Sequence, residues 1–158
     1  MEMMMRRMAS AALALVSGVF SACAVDPGGS PHTWQGAPLV EVSAEVNANA
    51  NLATALDIVL IYDAKPSGLM PKTAPEWFAA KAALTATFPQ QINVVSLHVP
   101  PATAIHAVNL PTGATHAVRV LAYANYVHRA GHPVADISNY KCVRIALAEV
   151  DIKYTECG

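Results

Sequence analysis

Histidines, cysteines and paired carboxylates are the side chains whose types and spacing could do chemistry in this chain. His98, His106 and His116 fall on segments that read as neighbouring strands. Three imidazoles converging on one face would suit zinc, but on strands such histidines more often serve as surface or interface residues. His128 and His132 are four apart, yet Gly131 and Pro133 oppose a helix there and no carboxylate lies between them. Asp57 and Asp63 share a strand face but sit about 20 Å apart at the usual rise per residue. That is too far for acid–base work, so they read as strand-end charges. His106 and Asp136 are a conceivable pair with no sequence signal to support it. H-E-x-x-H, G-x-S-x-G and the P-loop are all missing from the sequence. The expectation is a non-enzyme with no metal site and no cofactor.

Cys142 and Cys157 bracket two short strand patterns, Val143 to Leu147 and Val150 to Tyr154. A hairpin turning about Glu149 places the two cysteines opposite each other, within disulfide reach. Closing that loop would contribute about 3 kcal/mol in the chain-entropy model. The pair lacks the C-x-x-C spacing of a metal site.

The third cysteine belongs to a different pattern. Arg6 and Arg7, an apolar run from Ala11 to Phe20, and then Ser21-Ala22-Cys23 have the order of a secretory signal peptide. The run is short for a bilayer span, which takes about 20 apolar residues. Phe20-Ser21-Ala22-Cys23 resembles a bacterial lipobox, with Phe20 where leucine is usual. The resemblance implies that residues 1–22 are removed and that Cys23 carries covalent lipid. Ala24 is not the aspartate that retains such proteins in the inner membrane, which implies the outer membrane, periplasmic face. Residues 23–38 are rich in Pro, Gly and Ser and read as a flexible tether.

Residues 39–158 are long enough for one hydrophobic core. Loss of Arg6, Arg7 and Glu2 with the leader takes the ten basic and eleven acidic side chains to eight and ten, a sum of −2. With no basic stripe, nucleic acid is not an expected partner.

The elements follow from periodicity. Val40, Val42, Ala44 and Val46 alternate with polar residues, which predicts a half-buried strand. Asn47 to Asn51 reads as a loop, because asparagine favours turns. Leu56 to Asp63 is apolar almost throughout, the pattern of a central strand buried on both faces. Thr73-Ala74-Pro75-Glu76 is a capping box that opens a helix over 74–87, with Trp77 expected in the core. Strands are predicted over 92–99, 104–110 and 115–126, the last with Val118, Val120, Ala122 and Ala124 on one face. Pro111-Thr112-Gly113 is a turn. A short edge strand over 134–137 and the final hairpin complete the chain. Seven or eight strands with one inserted helix predict an all-β, two-sheet sandwich.

Several stretches together resemble one family. They are Val46 to Leu52 followed by Leu56 to Asp63, Glu76-Trp77-Phe78-Ala79-Ala80-Lys81 in the helix, and Ala122-Tyr123-Ala124-Asn125-Tyr126 before the Gly131 loop. They resemble the outer-membrane lipoprotein of type VI secretion systems, the TssJ family. The resemblance implies a transthyretin-like sandwich with an added helix. It also implies a structural role, tethering the secretion membrane complex by binding the periplasmic part of its large inner-membrane component. The contact would be the loop between the first two strands, here Asn47, Asn49, Asn51, Leu52 and Thr54. The alternative is a pilotin-like or other binding lipoprotein of a different envelope complex.

Overall fold

A computed structural model describes residues 39–128 and 132–158. Cys23, the leader, the tether and Arg129 to Gly131 lie outside the described residues. Among the described residues eight strands form two four-stranded sheets. The first, in the order β4-β1-β7-β8, holds β1 (Leu39–Ala44), β4 (Ala104–Ile105), β7 (Cys142–Leu147) and β8 (Ile152–Glu156). The second, in the order β3-β2-β5-β6, holds β2 (Thr54–Ile61), β3 (Ile92–Val99), β5 (Arg119–Asn125) and β6 (Ala135–Asp136). All neighbours run antiparallel except β1 and β7. The chain is therefore an all-β sandwich, as its patterning predicts.

The helix α3 (Ala74–Thr87) covers the outer face of the second sheet and starts where the capping box places it. The Glu76 carboxylate accepts from the backbone N–H groups of Lys72 and Thr73, both at 3.2 Å. β2 and β5 are thus covered on both sides. Leu56, Ile58, Leu60, Val120, Ala122 and Ala124 face the first sheet. Val59, Ile61, Leu121 and Tyr123 face α3. This is why β2 is apolar almost throughout: neither of its faces meets water.

Asp57 corrects an expectation. It sits in the middle of β2, buried, and is not a strand-end charge. Trp77 Nε1 donates to its Oδ2 at 2.8 Å, and Lys81 Nζ lies 2.9 Å from the same oxygen. Trp77 also stacks on Tyr123, with ring centroids 4.9 Å apart. A buried carboxylate needs such partners, and α3 supplies both one turn apart. Asp63 is not part of β2; it caps the short helix α2 (Ala64–Ser67) by accepting from Lys65 N. Asp136 pairs with Arg119 at 2.7 Å and not with His106.

Four predicted strands are shorter than their patterns, the edge strand over 134–137 being reduced to β6. β1 ends at Ala44, because Ala44 N donates to Thr103 O and Glu45 N to Leu147 O and the chain turns there; Val46 is left 76% exposed. β4 stops at Ile105, not Leu110. Residues Ala114–His116 form a 3-10 turn after Gly113, whose φ of 90° suits glycine. β5 therefore begins at Arg119, and Val118 packs toward α3 instead of sharing the face of Val120.

The final hairpin has the predicted register. Val143 faces Glu156 and Ile145 faces Tyr154. Cys142 and Cys157 form the expected disulfide, with Cα atoms 5.4 Å apart.

Candidate functional site

Four connections gather at one end of the sandwich: β1–β2 (45–53), β3–β4 (100–103), the described parts of β5–β6 (126–128 and 132–134) and β7–β8 (148–151). This rim carries Val46 at 76%, Leu52 at 52%, Val127 at 56% and Val150 at 65% exposure. The other exposed large apolar residues among those described, Leu39 and Leu69, lie toward the opposite end. A concentration of this kind is what contact surfaces present to a partner.

The β1–β2 connection is more ordered than a solvated loop. Its middle is the four-residue turn α1 (Ala48–Asn51), in which Asn49, Ala50 and Asn51 all have positive φ, 49°, 55° and 64°. Asparagine tolerates that region and alanine does so at a cost, so the Asn-Ala-Asn repeat fits a left-handed turn. Asn49 holds it in place. Its side chain, 1% exposed, accepts from Val127 N at 2.9 Å. Asn49 N donates to Ala148 O and Ala50 N to Glu149 O. Asn47 Nδ2 donates to Glu149 Oε2 at 2.9 Å. The first loop is thereby fastened to two other rim connections.

Tyr126 adds another tie, its hydroxyl donating toward Ala148 O at 2.9 Å and Asp151 O at 3.2 Å. Burial pushes its pKa up to about 12, helped by the charges of Asp151 and Glu45. At neutral pH it is a protonated donor. Burial also raises Tyr154, with Tyr126 and Asp151 adding to the effect.

The five residues expected at the contact therefore divide. Asn51 and Leu52 are exposed and Asn47 is half-buried. Asn49 and Thr54 are buried, so their side chains face the protein interior. A shallow cleft of about 490 Å³ lies beside Leu52, lined also by Ala55, His98, Asn125 and Val127. Val127, Val150 and the acidic set Glu45, Glu149 and Asp151 were not singled out by sequence reasoning. A valine at a hairpin tip between two acidic residues was the available signal.

Among the described residues His98, His106 and His116 form no cluster with ligating spacing. His98 is in β3, His106 follows β4 and His116 is in the 3-10 turn. Among the described residues the sole cluster with ligating spacing is Glu41, Cys142 and Cys157, and both thiols there are committed to the disulfide.

No protein-family model matches the chain, and no curated protein matches it in sequence. Solved structures match its fold. The type VI secretion lipoprotein TssJ1 of Pseudomonas aeruginosa superposes with a TM-score of 0.56 at 13% identity, over 77% of this chain and 95% of that one. Lip of Serratia marcescens, a membrane-bound component of the type VI secretion system, gives 0.51 at 8% identity, over 77% and 97%. A chain of a type VI membrane complex gives 0.54 at 12% identity, over 73% and 95%. At these identities the likeness is one of fold, a TssJ-like sandwich.

Proposed function

We propose that this chain is a non-enzymatic, lipid-anchored tether of a type VI secretion membrane complex. In this reading lipid on Cys23 holds it to the periplasmic face of the outer membrane. The rim made by the β1–β2 and β7–β8 connections grips the periplasmic part of the large inner-membrane component. The observation that carries the reading is the placement of Leu39 and the rim at opposite ends of the sandwich. β1 runs from Leu39 toward the rim, a strand length of about 17–20 Å. A tether entering at Leu39 would direct the apolar rim away from the anchoring membrane. A leash of about 15 residues would add a reach of roughly 20–25 Å. The TssJ-like fold and the leader pattern support the same assignment.

In-cell crosslinking of the full chain, tagged at its C-terminus, tests it. The expected result is capture of one large inner-membrane protein, lost in Leu52→Glu and Val150→Glu. Cys23→Ser should release the chain from the outer-membrane fraction. Capture that survives both rim variants would move the interface elsewhere. Recovery of an outer-membrane channel subunit instead would favour a pilotin-like role.

A further inference from the structure

The outer edge of β3 differs from the other three sheet edges. β4 and β6 are two residues long, and β8 carries Lys153 and Glu156. Short or charged edges resist pairing with other chains. β3 is eight residues, Ile92–Val99, with no charged residue and no proline. It pairs with β2 in one unbroken register from Ile92 to Val99, without a bulge.

The outward-facing groups follow from one bond. Tyr62 N donates to Gln91 O at 2.9 Å, which sets the alternation of the antiparallel ladder. Asn93, Val95, Leu97 and Val99 then turn their backbone groups toward β2. Val94, Ser96 and His98 turn theirs outward, and among the described residues no strand lies on that side. The available stretch has natural ends. Ile92 N is already used by Phe88 O at 3.0 Å, and Pro100 has no N–H.

We propose that this edge receives an extended strand from a partner protein, with an acidic side chain opposite Ser96. Backbone hydrogen bonds supply the general affinity of strand addition, and side chains supply the choice of partner. Here that choice comes from Lys81. Its Nζ donates to Ser96 Oγ at 2.7 Å and meets Asp57 at 2.9 Å, leaving a third N–H for a carboxylate arriving on the same face. A second copy of this chain suits the edge less well. Antiparallel self-pairing centred on Ser96 would bring two Lys81 ammonium groups onto one face beside each other, and like charges directly opposite oppose pairing.

The test uses the full lipidated chain in detergent and two peptides of alternating threonine and valine, one with a central glutamate and one with lysine there. The glutamate peptide should bind about ten-fold more tightly, a preference that shrinks with added salt. It should slow amide exchange at Val94, Ser96 and His98. Ser96→Pro should abolish binding while leaving the β2 ladder intact, since that N–H takes no part in it. Leu52→Glu should leave peptide binding unchanged, which separates this edge from the rim. Equal binding of the two peptides, no binding, or protection at other amides would overturn the proposal. So would a concentration-dependent dimer that protects the same three amides without peptide. If Ser96→Pro does not fold, the wild-type preference and the position of protection decide.

Discussion

Asn49 is the residue on which the rim depends most. It combines a left-handed backbone with a buried amide that satisfies Val127 N. Asn49→Ala removes the acceptor and leaves alanine in the left-handed region, at a cost of about 1–2 kcal/mol; leaving the part-buried Val127 N–H without its partner adds about 1 kcal/mol. Urea unfolding should show a loss of about 2–3 kcal/mol. The neighbouring Ala50, at φ 55°, holds strain that glycine would relieve. Ala50→Gly should be neutral or stabilising by up to about 1 kcal/mol, the relief being offset by glycine's greater freedom when unfolded. A clear destabilisation would mean that the left-handed turn is not the solution conformation.

Tyr126 gives a prediction in pH. Its folded pKa, about 12, lies above the usual value of 10.0. The folded state therefore holds the proton more tightly than the unfolded one. This contribution is complete below pH 10 and is lost as pH rises toward 12. Tyr123 adds in the same direction: burial outweighs the lowering effect of Arg119 and, with Glu76, brings it to about 12 as well. Thermal stability should fall across this window, and Tyr126→Phe should reduce the slope.

At the scale of elements, the helix and the second sheet are joined by Trp77, Asp57 and Lys81. Asp57→Ala strands the buried indole N–H of Trp77 and removes the partner of Lys81. A loss of about 2–4 kcal/mol is expected from denaturant unfolding. Asp57→Asn keeps an acceptor for Trp77 and should lose less. The Cys142–Cys157 bridge holds β8, an edge strand whose strand neighbour among the described residues is β7. Replacing both cysteines with alanine should cost about 3 kcal/mol in the chain-entropy account. The same urea measurement would read it.

For the whole molecule, the separation of Leu39 from the rim makes the orientation testable. Single cysteines at Leu52 or Val150 should react with a bulky maleimide in cells lacking the secretion complex and be shielded in cells that contain it. A cysteine at Thr112, in the turn ahead of β5 and away from the rim, should react equally in both. Shielding at Thr112 instead would place the contact at the end nearer Leu39.

Features that depend on local pattern can be read from the order of residues alone. The capping box set the start of α3, since its groups are three residues apart. The nearly continuous apolar run announced that β2 is central. Strand pairing at a fixed register let hairpin arithmetic place Cys142 opposite Cys157. Features that depend on distant neighbours emerge once the sheets and helix are packed together. Asp57 looked like an end charge because its partners are 20 and 24 residues further along the chain, on a helix laid over the sheet. Val46 fits a strand pattern, yet the bonds from Ala44 to Thr103 and from Glu45 to Leu147 turn the chain before it is reached. Asn49 reads as a surface loop residue, but the acceptor its side chain provides is taken by Val127, 78 positions away. Periodicity records which face of an element meets water. It does not record which element covers that face, and the rim and the β3 edge are defined by what the other elements leave uncovered.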